Sequence, residues 1–326
     1  MSWRIVLTGA SGFIGDHLLQ TLIKDELEVI VPVRNFKKFN DQDKLANVKI
    51  LPGLFYDDAV LENISAFKPE AIIHLSAIRG EGKGNWEDYF RVNVNGSAKL
   101  CDFALQSNVK LFVYISTVGV YGTIPRELPA NIHTQLIPDN LYHQSKYEAE
   151  RLVIKKLNGK IPYIILRPTI TYGPGDNGFL MKLIDLVKMK KFPLTRKDIK
   201  IHLLNVQTIC EFVSLLLQRK NSENVIINLA DRQPVSLASL VNLIHSHFHG
   251  VPYPTYLKVP AWFYSAGKKI ADFLQWKKLK TSIQLISESW YYDNSQLYNQ
   301  FVITQFDTLT SIRDLLKNEY PGKSRA

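Results

Sequence analysis

The chain has 326 residues, 46% of them hydrophobic and 21% charged, a balance that supports a sizeable folded core and excludes a disordered or low-complexity polymer. Its net charge of +10 raises the question of an acidic partner, but no helix-turn-helix, zinc or RNA-sheet motif accompanies the lysines, so no nucleic acid partner is expected. No apolar run reaches the length of a membrane span, and the first strand begins too close to Met1 to leave room for a secretory leader, so a cytoplasmic protein is expected and a membrane partner is not.

Residues 3–7 read as a short buried strand, and Phe13, Ile14, Leu18, Leu19, Leu22 and Ile23 recur at helical spacing after it. Between them, VLTGASGFIG places Gly9, Gly12 and Gly15 in a strand-to-helix turn. Bare backbone there permits a tight bend and lets an anion approach the free N–H groups that open the helix, as a pyrophosphate site requires. A strand at 28–33 completes a βαβ unit, and Arg34 stands at its end. A carboxylate at that place bonds the ribose of NAD, whereas an arginine accommodates the 2′-phosphate of NADP. NADP is therefore preferred; NAD stays open, because Arg34, Lys37 and Lys38 also suit a solvated loop.

Further strands are expected at 48–51, 71–75, 111–115 and 163–166, with helices at 58–67, 86–106 and 142–157. This alternation implies an α/β fold, a doubly wound parallel Rossmann-type sheet whose ligands bind at the carboxyl ends of the strands, where strand order reverses. After the Gly173-Pro174-Gly175 break, a helix at 206–217 and a strand at 225–229 are read as returning to the sheet. The expected division is a dinucleotide-binding domain of 1–172 plus about 201–229, and a smaller C-terminal substrate-capping lobe of about 173–200 plus 230–326. Cys101 and Cys210 lie in apolar helical patterns without metal-ligand spacing, so two reduced packing thiols and no metal site are expected. Lysines crowd 182–200 and 268–280, which suits a solvated basic face or attraction of a diphosphate-bearing substrate.

Tyr142 and Lys146 lie one helical turn apart, so the ammonium can sit beside the phenol and lower its pKa toward the working range of an acid or base. Ser116 and Thr117 end the strand at 111–115 and offer a hydroxyl to the same edge. His143 points in a different helical direction and is read as a bystander.

With these motifs the chain resembles the extended short-chain dehydrogenase/reductase family, the superfamily of NAD-dependent epimerases and dehydratases. The resemblance rests on the TGxxGxxG turn from Thr8 to Gly15, His74-Leu75-Ser76-Ala77, Val92-Asn93-Val94-Asn95-Gly96, Ser116 to Gly122, Tyr142 to Lys146, and Arg167 to Gly175. It implies a catalytic set of Thr117, Tyr142 and Lys146. It also implies cofactor contacts from Gly9, Ser11, Gly12, Phe13, Ile14, Gly15, Arg34, Leu75, Ser76, Ala77, Asn93, Tyr142, Lys146, Pro168 and Ile170, and a homodimer through the helices at 86–106 and 142–157. In the implied mechanism Tyr142 moves the hydroxyl proton, Thr117 bonds the developing alkoxide, and Lys146 binds the nicotinamide ribose. Arg79 and Lys83, beside Trp86, are read either as substrate contacts over the active-site mouth or as part of a glycine-rich surface loop at 80–84, and Val118 and Tyr172 as substrate contacts.

The chain departs from the family where sugar-nucleotide dehydratases carry an Asp-Glu pair, here Val118 and Gly119, which transfer no proton. Gln207 and Thr208 replace another acidic pair, and Leu54 stands where an aspartate near the adenine is common. What remains is simple hydride transfer, by an NAD(P)-dependent ketoreductase or 4-epimerase; residues 178–194 resemble the capping region of such enzymes that act on nucleotide-linked sugars in surface polysaccharide synthesis, which implies a substrate of that kind. Two alternatives stand beside it. One is a sterol- or lipid-type dehydrogenase at a membrane surface, since residues 260–280 suit an amphipathic surface helix as well as a core helix with a wet basic face. The other is a non-catalytic NADP-binding redox sensor, against which Tyr142 and Lys146 argue.

Overall fold

The apolar run RIVLT becomes β1 (Arg4–Thr8), buried along nearly its whole length as a central parallel strand must be, and the periodic segment after it becomes α1 (Phe13–Lys24). The computed structural model describes residues 3–34, 47–80, 82–219 and 223–321. The alternation continues through β2 (Glu28–Val33), β3 (Val48–Pro52), α2 (Asp58–Ala66), β4 (Ala71–His74), α3 (Trp86–Tyr89), α4 (Gly96–Gln106), β5 (Leu111–Ile115), α5 (Leu141–Leu157) and β6 (Tyr163–Pro168). Next come β7 (Ile170–Tyr172), α6 (Phe179–Lys188), β8 (Lys200–Ile201), β9 (Leu203–Asn205), α7 (Val206–Gln218) and β10 (Val225–Leu229). The chain ends in β11 (Val235–Ser236), α8 (Leu237–His249), α9 (Ala261–Phe273), α10 (Lys277–Ser287), α11 (Ser295–Gln300) and α12 (Thr308–Glu319).

Seven strands form one sheet in the order β10-β6-β5-β4-β1-β2-β3. β1 pairs in parallel with both β2 and β4, β2 with β3, β4 with β5, and β5 with β6. Strand order therefore reverses between β1 and β4, and a parallel sheet binds its ligand at the carboxyl ends of such a pair. Val6, Ile72, Phe112 and Ile165 from the sheet pack with Leu100, Phe103 and Val153 from the helices in one buried cluster.

The chain divides into two compact units. The first comprises Met1–Val120, Leu136–Pro168 and Ile209–Asn228, and the second Tyr121–Gln135, Thr169–Thr208 and Leu229–Ala326. Residues 121–135, 169–172 and 201–208, read from sequence with the dinucleotide-binding domain, thus lie in the second unit. Long-range pairing is the reason: Ala130 N donates to Tyr291 O at 3.1 Å and Asp293 N to Ala130 O at 2.8 Å, while β9 pairs with β7. The single helix expected over 86–106 is interrupted by a π-helical turn, Phe90–Asn95. That wider turn buries Asn93, whose side chain braces the site described next.

Candidate active site

The glycine turn has no room for a side chain at Gly9 or Gly15. Gly9 adopts φ +80°, and a Cβ there would lie 2.8 Å from the Ser76 backbone nitrogen, so this glycine is where the loops after β1 and β4 touch. A Cβ on Gly15 would lie 2.1 Å from Gly9 O, which locks α1 close against the turn. Gly12 is the N-cap of α1 and makes no side-chain cap hydrogen bond, so the first amides of the helix stay available to an anion. Ser11 and Gly12 are exposed, Phe13 and Ile14 half-buried and Gly15 buried. Arg34 is exposed just after β2, while Lys37 and Lys38 lie outside the described residues.

Opposite the turn, a directional hydrogen-bond chain fixes the end of β4. Ser76 N donates to Thr8 Oγ1 at 3.2 Å, and Thr8 Oγ1 lies 2.6 Å from His74 Nδ1. On the other side of the ring His74 Nε2 lies 2.9 Å from Ser97 Oγ, which donates to Asn93 O at 2.6 Å. Satisfying every partner puts the imidazole proton on Nε2. Burial holds His74 well below the usual imidazole range, so the ring is a neutral strut. Asn93 accepts from Ile78 N at 2.7 Å and donates to Ile78 O at 3.0 Å and to Ser145 Oγ at 2.8 Å. Its amide is thus occupied in tying the loop after β4 to α5, while Leu75, Ser76 and Ala77 on that loop remain half-buried.

Thr117 follows the end of β5, and Tyr142 and Lys146 stand in the first turns of α5. Thr117 Oγ1 accepts from Gly119 N at 3.1 Å, and Ser116 Oγ beside it is buried with no hydrogen-bond partner among the described residues. Asn140 caps α5 by accepting from His143 N at 2.9 Å, which sets the helix start that carries Tyr142. Lys146 is 2% exposed; its Nζ donates to Ile115 O at 2.7 Å and lies 4.0 Å from the centre of the Tyr114 ring. Burial brings its ammonium down to about 7, opposed by Glu150. Burial pushes the Tyr142 phenol up to about 12, and the cation opposing that rise is Arg79. The expected lowering of the tyrosine by Lys146 is therefore not what this geometry provides, because the ammonium is turned toward the Ile115 carbonyl.

The remaining predicted residues fall into two groups. Arg79 and Lys83 are exposed on the segment after β4, where Lys83 N donates to Tyr89 Oη at 3.2 Å. Pro168, at the end of β6, is buried, and Ile170 is half-buried. Val118 and Tyr172, by contrast, are core residues. Val118 is 7% exposed, and Tyr172, in the second unit, donates its hydroxyl to Asp231 Oδ2 at 2.7 Å. Asp231 also accepts from Thr308 Oγ1 at 2.6 Å and Asn205 N at 2.8 Å, so the Tyr172 hydroxyl is engaged in a buried hydrogen-bond network. Sequence spacing also misses an Asp-His pair: His143 Nδ1 lies 2.7 Å from Asp139 Oδ1, and the imidazole takes the space that a side chain on Gly119 would fill. The one visible signal for it is the absence of a side chain at position 119.

A tight glycine turn at a strand-order reversal, a helix start with no side-chain cap and a Ser116 hydroxyl without a partner among the described residues fit a dinucleotide, and together they define a Rossmann-type dinucleotide-binding protein. The chain belongs to the NAD dependent epimerase/dehydratase family, whose model matches residues 5–230. It is 28% identical over 288 residues to the UDP-glucose 4-epimerase of Vibrio cholerae, covering 83% of each chain. It is 26% identical to the N-acetyl-alpha-D-glucosaminyl-diphospho-ditrans,octacis-undecaprenol 4-epimerase of Escherichia coli O157:H7, covering 74% of this chain and 71% of that one. In fold it is similar to the Bordetella bronchiseptica enzyme WbmG in complex with NAD and UDP, with a TM-score of 0.75, 21% identity, and coverage of 98% and 95% of the two chains. The chain is thus an NAD(P)-dependent enzyme of the extended short-chain dehydrogenase type.

Proposed function

We infer that the protein is a 4-epimerase of a nucleotide-linked sugar, with Thr117, Tyr142 and Lys146 as its catalytic set. The observation that carries this reading is that Lys146, one helical turn from Tyr142 on α5, reaches with its ammonium to Ile115 O at the end of β5, two residues before Thr117, in the unit that also holds the glycine turn. Gly9, Gly12 and Gly15 leave room for the pyrophosphate, and Leu75, Ser76, Ala77 and Pro168 are read as lining its path. When bound, the nicotinamide takes up and returns a hydride. Tyr142 holds the proton of the sugar hydroxyl at Oη, and Thr117 Oγ1 bonds the same oxygen as charge develops on it. Release of Lys146 Nζ from Ile115 O would bring its charge to the phenol and draw Tyr142 down from about 12. Val118 and Gly119 supply no further acid or base, which supports simple hydride transfer over water elimination.

The sugar substrates named for the Vibrio and Escherichia relatives support a role in surface polysaccharide synthesis. The same family reading carries a cytoplasmic homodimer built through α4 and α5. A second reading, an NADP-dependent ketoreductase, is favoured by Arg34 standing where a ribose-binding acid would be. Mass spectrometry of dinucleotide released from protein purified without added cofactor separates the two. Stoichiometric NAD supports the epimerase, whereas an empty site stabilised on heating by NADPH far more than by NADH supports the reductase. Failure to convert any UDP-sugar with either cofactor would sink both.

A further inference from the structure

In the second unit α9 and α10 pack against each other as a helical hairpin, brought close at Gly267, where a Cβ would lie 3.2 Å from Ile283 Cδ1. Tyr264 and Ala271 are the buried side of α9. At helical periodicity Trp262, Phe263, Ile270 and Phe273 share the opposite stripe, and Trp276 and Leu279 extend the apolar surface into α10. All six are exposed, Phe273 by 86% and Trp262 by 69%. The core-helix alternative for residues 260–280 therefore fails here: the aromatic side faces outward. Single exposed apolar residues are ordinary, but a cluster of this size on one hairpin marks an interaction surface.

Charge selects the partner. Lys268 pairs with Glu288 at 2.8 Å and Lys280 with Asp272 at 2.7 Å. Lys269 lies on the aromatic stripe, and Lys277 and Lys278 open α10; all three are exposed with no carboxylate partner among the described residues. The first turn of α10 holds no acidic residue, so these cations sit at the helix end where the macrodipole disfavours them. An anionic surface relieves that conflict. Aromatic rings that enter the acyl boundary, with lysines reaching to phosphates at its edge, are the composition of helices that lie in a lipid interface. A second copy of the chain suits this face less well, because a two-fold contact repeats the same patch on both sides and brings its surplus lysines together. We propose that the α9–α10 hairpin docks the protein onto an anionic bilayer surface, lying in the interface without crossing it. No described helix is long and apolar enough to cross a membrane.

The test is flotation of the full chain with phosphatidylcholine vesicles, with and without phosphatidylglycerol, at low and high salt. The wild type floats with the anionic vesicles and not with the neutral ones, and salt weakens its binding. A Trp262→Glu/Phe273→Glu double variant and a Lys269→Glu/Lys277→Glu/Lys278→Glu triple variant each lose at least about tenfold in bound fraction. Both melt as the wild type does, because every changed side chain is exposed. Absence of wild-type flotation on anionic vesicles overturns the proposal. So does equal flotation of wild type and both variants, or a wild-type dimer by light scattering that the double variant dissociates.

Discussion

The imidazole of His143 occupies the position that a side chain on Gly119 would need: an ideal Cβ there falls 2.2 Å from Cδ2 and 2.3 Å from Nε2. Asp139 Oδ1 lies 2.7 Å from Nδ1 and holds the ring through that nitrogen. Gly119 N in turn donates to Thr117 Oγ1, so displacement at 119 is passed to the proposed catalytic hydroxyl. Gly119→Ala is expected to lower kcat/KM by about 10–100-fold, the scale of an ångström-sized misplacement in a site, and to destabilise the fold by about 1–3 kcal/mol through overpacking. In a His143→Ala background the clash is gone, and the stability loss from Gly119→Ala shrinks to within about 0.5 kcal/mol. A double-mutant cycle by thermal or urea unfolding reads this directly; additive losses would refute the contact.

Lys146 predicts a pH dependence of stability. Its ammonium titrates at about 7 in the folded chain, against an ordinary value of 10.5. Between those values the unfolded chain holds a proton that the folded chain does not, so stability rises with pH across that window. Below it, both states are protonated and the full penalty of burying the charge applies. Lys146→Met should therefore gain most over the wild type near about pH 6, on the order of a few kcal/mol, and lose that advantage by about pH 10. Melting curves across the range test this, and a pH-independent gap would exclude the buried ammonium as its source.

Tyr142→Phe is expected to reduce kcat by about 10²–10⁴-fold, the contribution of a positioned acid or base, while leaving dinucleotide retention unchanged. Single-turnover assays with a UDP-sugar, beside titration of the dinucleotide, separate the two effects. An unimpaired variant would remove Tyr142 from the catalytic set.

What the sequence made legible was local. The strand–turn–helix around Gly9 and the strand–helix alternation are written in neighbouring residues, and they recover the sheet and its reversal between β1 and β4. Lys146 shows the limit of spacing: helical periodicity puts it on one face with Tyr142, but its side chain reaches to Ile115 O. His143 shows another limit, because the loop after β5 curls back onto the side of α5 that a helical wheel assigns away from Tyr142. Residues 121–135 sit in the second unit through Ala130 and its partners near residue 292, a pairing without any local signature.

Tyr172 separates the structural from the functional reading of a motif residue. Its hydroxyl donates to a carboxylate 59 residues away and is buried with it. Burial also pushes Asp231 up to about 6, against the bonds from Thr308, Asn205 and Tyr172. Tyr172→Phe removes one donor from that buried carboxylate and is expected to destabilise the protein by about 1–3 kcal/mol. KM for the sugar should not move. A raised KM with unchanged stability would return Tyr172 to the substrate site.

Gly9 tests the dinucleotide cradle without touching the proposed chemistry. Its φ of +80° is in the left-handed region, and a Cβ would meet the Ser76 nitrogen at 2.8 Å and the Leu75 carbonyl carbon at 3.0 Å. Neither neighbour is free to yield, because Ser76 N is bonded to Thr8 Oγ1 and Leu75 N to Thr8 O. Gly9→Ala must therefore spread β1 from β4 at the point where the strand order reverses. Fluorescence titration with NADH and NADPH is expected to show at least about tenfold weaker binding of whichever dinucleotide the wild type takes, a loss of about 1.4 kcal/mol or more. Tyr142→Phe in the same titration should bind as the wild type does. If Gly9→Ala binds normally while remaining folded, the turn is not the pyrophosphate site, and the dinucleotide would have to be sought at another part of the sheet edge.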